Sequence, residues 1–142
     1  MLKYKHILLA TDFSEGTAHV LDEGCELAKQ MGAKISLLHV VEPLPGYGYA
    51  FIGSAEIETH IVSEAKKHLF DLGSKVVVGT KSQRIEYGQA KREIIKVAEE
   101  IKADLIVVGS HGRHGLARLL GSTANAVAHN AKCDLLMIRI TE

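Results

Sequence analysis

From Val107 to Ala124 the sequence reads VVGSHGRHGLARLLGSTA, a stretch dense in groups able to hold an anion. Gly109, Gly112, Gly115 and Gly121 lack the Cβ that keeps other backbones away from a ligand. An apolar, β-rich run ends at Gly109, and a helical pattern opens near Gly121-Ser122-Thr123. The first amides of such a helix have no partner within it and carry a partial positive charge of about half a unit. Ser122 and Thr123 add hydroxyl donors, and Arg113 and Arg118 could add charge. A glycine loop at a strand's C-terminal end, leading into a helix N-terminus, can take a phosphate where open α/β sheets bind ligands. The same glycines would also serve a tight turn with no ligand, and the residues alone leave both readings open.

Other candidate chemistries fail on spacing. No GxxxxGK[ST] is present, which removes the P-loop with its lysine and Mg²⁺ geometry. Gly46-Tyr47-Gly48 does not continue to GxGxxG, because Phe51 stands where the third glycine belongs. No GxSxG nucleophile elbow occurs. His111 and His114 lie three apart in the glycine loop, but no cysteine or carboxylate pattern completes a metal set. His39, inside an apolar run, reads as a satisfied core or edge residue. With no base and no metal-holding acid beside the glycine loop, no catalytic residue is assigned, and hydrolysis of a bound phosphate ester would be slow at most.

The elements that must position this loop can be read from periodicity. Tyr4 to Ala10, Lys34 to Val41, Ala103 to Gly109 and Asp134 to Ile140 are short apolar runs of the kind buried on both faces of a sheet. Thr17 to Met31, Glu56 to Gly73, Ala90 to Ile101 and Ser122 to Asn130 carry helical patterns. Ser14 is the expected N-cap of the first helix and Gly32 its C-cap. Gln83 to Tyr87 and Val76-Val77-Val78 compete for one further strand, and Pro43 to Ser54 reads as a loop. Alternating strands and helices predict a parallel, doubly wound α/β sheet with right-handed crossovers.

Taken together, these segments resemble the universal stress protein family. GSHGRHGLARLLGS is similar to its nucleotide-binding signature, G-x2-G-x9-G-[S/T]. Lys5-His6-Ile7-Leu8 leading into Ala10-Thr11-Asp12-Phe13-Ser14 resembles the family's first strand and its [TV]-D-x-S turn. Leu37-Leu38-His39-Val40, Ala103 to Gly109 and Lys132 to Arg139 resemble its second, fourth and fifth strands. The resemblance implies a Rossmann-like sheet of five parallel strands with helices on both faces, like the adenine nucleotide alpha hydrolases, with Gln83 to Tyr87 as the third strand. It implies ATP or AMP as ligand, with or without Mg²⁺ and with no dedicated protein metal site. Carried over by position, Thr11, Asp12 and Val40 would meet the adenosine half, and Gly109, Gly112, Gly121, Ser122 and Thr123 the ribose and phosphates. The implied role is regulatory, in a bacterial-type stress response. One departure is plain: eight residues, Arg113 to Leu120, separate Gly112 from Gly121 where the signature has nine. The alternative is therefore a protein-interaction module whose glycine loop is purely structural.

Bulk properties set the remaining expectations. The 142 residues suit one domain spanning 1–142. Seventeen basic residues balance 17 acidic ones, so there is no excess charge for a nucleic-acid backbone and little repulsion between copies. The N-terminal apolar run stops at Thr11-Asp12, and no stretch approaches the roughly 18 apolar residues of a membrane span. Cys25 and Cys133 read as two small buried residues in a reducing compartment. The expected location is the cytoplasm, with protein partners unspecified. The last strand, if at a sheet edge, could pair with its own copy, and the resemblance implies such homodimers.

Overall fold

A computed structural model describes residues 3–13, 16–42, 55–75, 82–110 and 123–140. In chain order the elements are β1 (His6–Thr11), α1 (Thr17–Met31), β2 (Lys34–Val41), α2 (Ala55–Lys75), β3 (Gln83–Tyr87), α3 (Ala90–Ile101), β4 (Leu105–Gly109), α4 (Thr123–Asn130) and β5 (Asp134–Ile138). All five strands are parallel, in the order β3-β2-β1-β4-β5. The sheet is therefore the doubly wound, Rossmann-like one, and Gln83–Tyr87 is its third strand.

Strand parity divides the core into two layers. Ile7, Leu9, Leu37, Leu105 and Val107 pack with Val20, Leu21 and Ala28 of α1 and Leu69 of α2. The intervening residues Leu8, Leu38, Ile106 and Val108 pack with Ile94, Val97 and Ala98 of α3 and Val127 of α4. Because successive side chains leave a strand on opposite faces, a strand coated on both sides must be apolar throughout. That is why β1, β2 and β4 read as near-continuous apolar runs; the buried polar Ser36 and His39 of β2 are each hydrogen-bonded, to the His6 ring and to the Thr11 carbonyl.

Polar side chains set several element ends and move them from the sequence expectation. β1 starts at His6 rather than Tyr4 because the Asp104 carboxylate accepts the amides of Lys5 (2.8 Å) and His6 (3.0 Å). The same carboxylate occupies Asp104 at the mouth of β4, which begins one residue later, at Leu105. β5 stops at Ile138, not Ile140, because Ser110 takes over there: its amide donates to the Ile138 carbonyl and its hydroxyl accepts from the Ile140 amide (2.8 Å). α1 is capped by Gly16, with no side-chain cap, whereas Ser14 lies outside the described residues. Gly32 closes α1 as expected, at φ 66°. Lys102 closes α3 in the same left-handed conformation, at φ 58°. Cys25 and Cys133 are half-buried rather than buried, and burial pushes both thiols above their ordinary range. Val76-Val77-Val78 and Pro43 to Ser54 lie outside the described residues. Among the described residues no helix is long and apolar enough to cross a membrane.

Candidate functional site

In the strand order, β1 connects outward to β2 on one side while β4 lies on the other. The chain thus reverses its direction of travel across the sheet between β1 and β4. A crevice opens beyond the strand C-termini at such a reversal, and open α/β sheets bind ligands there. The residues singled out by sequence fall around this point. Thr11 is the last residue of β1 and Asp12 follows it. Thr11 pairs in register with His39, so Val40, the next residue of β2, is level with Asp12. Leu9 pairs with Val107, which puts Gly109 level with Thr11 on the opposite flank. Thr123 is the first residue of α4. Gly112, Gly121 and Ser122, like His111 and His114, lie outside the described residues.

The turn after β1 is held from several directions. The Thr11 hydroxyl accepts from the Phe13 amide (3.2 Å) and donates to the Thr17 hydroxyl at the start of α1 (3.2 Å). The carbonyl of Thr11, the last residue of β1, accepts from Nδ1 of His39 at 2.7 Å. A carbonyl can only accept, so Nδ1 carries the proton and the tautomer of His39 follows. His39 is 6% exposed, which fits its reading as a satisfied core residue.

Phe13 has a positive φ of 61°. For a non-glycine residue the left-handed region costs roughly 1–2 kcal/mol. Its ring is stacked between two imidazoles, that of His39 at 3.9 Å and that of His68 of α2 at 4.1 Å. The Phe13 and His68 contributions are not legible in the sequence. Phe13 occupies the unspecified position of the [TV]-D-x-S pattern, and His68 is one polar residue of an amphipathic helix.

Gly109 has a packing reason for being glycine. A Cβ there would lie 2.7 Å from Cδ1 of Ile140 and 3.0 Å from Cγ2 of Val20. A Cβ on Gly16 would likewise meet Ile140, at 2.5 Å. Ile140 is thus seated against the backbones of Gly16 and Gly109, fastened by its amide's bond to the Ser110 hydroxyl. The absence of a side chain at 109 serves this seat whether or not a phosphate approaches from above. Among the described residues no group of three or more His, Cys, Asp or Glu could hold a metal ion.

Similarity to known proteins agrees with this geometry. Residues 3–139 match the universal stress protein family. Universal stress protein A homologs 1 and 2 of Coxiella burnetii are each 41% identical to the chain, over 99% of it and over 100% and 98% of their own lengths. Among solved structures, hypothetical protein MJ0577 matches with a TM-score of 0.84 at 28% identity, over 99% of both chains. A universal stress protein in complex with cAMP matches with a TM-score of 0.63 at 28% identity, over 97% of this chain and 98% of its own. With a match from residue 3 to residue 139 and relatives 41% identical over their full length, the chain belongs to the universal stress protein family.

Proposed function

We propose that the protein is a regulatory stress protein that binds an adenine nucleotide, ATP or AMP, at the C-terminal ends of β1, β2 and β4. Members of its family are generally regarded as regulatory proteins rather than enzymes. The observation that carries the reading is the meeting of Asp12, Val40 and Gly109 at the reversal between β1 and β4. Asp12 supplies an acceptor for a ribose hydroxyl or an adenine amine, and Val40 an apolar surface for the base. Gly112, Gly121, Ser122 and Thr123 would receive the ribose and phosphates, and any Mg²⁺ would arrive with the nucleotide. The 28% identical protein bound to cAMP supports an adenine nucleotide as the ligand class. Binding would shift a population of conformers or complexes rather than lead to turnover.

Thermal melting with and without millimolar ATP or AMP tests the reading. A ligand at 100 times its dissociation constant stabilises by about 2.7 kcal/mol. At this chain length that corresponds to a rise in Tm of roughly 3–6 °C. Asp12→Ala is expected to abolish the rise; Asp12 is half-buried and engaged within the protein, so the ligand-free Tm of the variant is the baseline against which the lost rise is read. A wild-type Tm unmoved by either nucleotide would sink the reading.

A specific observation favours a second reading. Gly109 is explained by the Ile140 seat, and the loop is one residue shorter than the nucleotide-binding signature. In that reading the domain, residues 1–142, is a protein-interaction module indifferent to nucleotides. Under either reading β5 is proposed to pair with its own copy in a homodimer. A cytoplasmic location is supported by two free thiols, Cys25 and Cys133.

A further inference from the structure

Among the described residues two non-glycine residues have positive φ, Phe13 and Lys102. Lys102 has an ordinary reason: it ends α3, where a left-handed residue lets its amide and that of Ala103 return to the carbonyls of Glu99 and Ala98. Phe13 ends no helix. It follows a strand, and a bulky side chain there makes the left-handed region unfavourable. Such strain persists only where the surroundings over-determine it, and it concentrates at ligand-binding sites.

Three contacts over-determine Phe13. Its amide donates to the Thr11 hydroxyl at 3.2 Å. On one side its ring lies 3.9 Å from that of His39, with the planes 23° apart. On the other the ring of His68 lies at 4.1 Å and 21°. The His39 imidazole is itself held by the Thr11 carbonyl at 2.7 Å. Asp12 therefore sits between two pinned neighbours, Thr11 in the sheet and Phe13 in the stack. His68 differs from the other members because it comes from α2. That helix is anchored one residue later by Leu69, 1% exposed in the core, while His68 itself is on the exposed side. A residue that only filled the core would not leave the core side of its helix to cover one ring of a strained turn.

We propose that the His39–Phe13–His68 stack is the positioning device for Asp12, and that α2, through His68, sets how well the site accepts its ligand. This rests on the adenine-nucleotide reading above. None of the three rings is assigned to touch the nucleotide. They act through the backbone conformation that presents Asp12. Removing the outer ring releases the left-handed turn into a population of conformers, of which a fraction retains the binding geometry. Apparent affinity falls by that fraction, so a competent population of about 10–20% weakens binding roughly five- to tenfold.

The test compares wild type, His68→Ala and His68→Phe in the full chain, with AMP and ATP as probes. Calorimetric titration reads affinity, melting reads stability, and the backbone NMR shifts of Asp12 and Phe13 read the turn without ligand. The expected result has three parts. His68→Ala weakens nucleotide binding five- to tenfold and moves the Phe13 shifts out of the left-handed range; His68→Phe, which keeps a stacking ring, restores both. A merely structural role would lower Tm in His68→Ala and leave the affinity of the folded protein unchanged, which overturns the proposal. Nucleotide binding by wild type together with unmoved Phe13 shifts in His68→Ala overturns it too. If wild type binds neither nucleotide, the ligand reading fails by itself. The shifts then decide the device: moved shifts uphold the stack as what sets the turn, and unmoved ones remove it.

Discussion

At Gly109 one residue answers to two demands, and they can be separated. Alanine there would press its Cβ against Ile140 and Val20. Overpacking of this kind costs about 1–3 kcal/mol, and the lower part of that range is expected because Cδ1 of Ile140 is the far end of a side chain that can turn. The strain is mutual, so Gly109→Ala and Ile140→Ala should not add. The double variant should recover at least half of the loss due to Gly109→Ala, measured by denaturant unfolding in a double-mutant cycle. Full additivity would mean that Ile140 does not press on position 109. The recovered double variant is also the right background for a nucleotide titration, because any remaining loss of affinity there reflects the ligand and not the fold.

At the scale of elements, Asp104 joins the starts of β1 and β4. Burial disfavours its ionised form, but the amides of His6 and Lys5 and its own amide outweigh this, and the carboxyl titrates below its ordinary 3.8. A carboxyl lowered in the folded chain adds stability that is complete above its unfolded value and is lost as pH falls through the folded one. Asp104→Asn is expected to cost about 1–2 kcal/mol at pH 7, less than a buried charged hydrogen bond because the group is partly open to solvent. The gap between wild type and variant should close progressively below pH 3.8. A gap that persists at pH 2 would place the role of Asp104 in packing rather than charge. The same element shows what sequence could carry. The apolar runs and the patterns of α1 and α3 specify a doubly wound sheet, since periods of 2 and 3.6 are local properties. Strand ends are not local. Where β1 begins depends on Asp104, nearly a hundred residues away, and where β5 ends depends on Ser110. Asp12, Val40 and Gly109 could be placed through the resemblance. The stack around Phe13 could not, because it joins a turn to residues of two separate elements, β2 and α2, through a backbone conformation that no residue type announces.

At the scale of the whole molecule the two edges of the sheet are unequal. β3 and β5 are the outer strands. β3 carries charge: Arg84 pairs with Glu86 at 2.7 Å and with Glu100 of α3 at 2.8 Å. Charged side chains along an edge discourage a second chain from adding to it. β5 reads DLLMI, with no charge after Asp134, and Leu136 and Met137 are each 38% exposed. Its backbone edge, unpaired among the described residues, and its exposed apolar pair therefore coincide, and a chain with zero net charge raises little repulsion against its copy. Pairing of β5 with β5 about a two-fold axis would satisfy both β5 edges at once and leave only the charged β3 edges facing outward. The expected outcome is a dimer mass by light scattering at micromolar concentration and a Tm that rises with protein concentration. Leu136→Lys with Met137→Lys places four like charges across such a joint. That variant should run as a monomer with its sheet intact by circular dichroism, since neither side chain lies in the two core layers. A wild-type monomer would leave the exposed pair to another partner. A dimer unchanged by the two lysines would move the interface elsewhere on the molecule, with β3 protected by its ion pairs and therefore the poorer candidate.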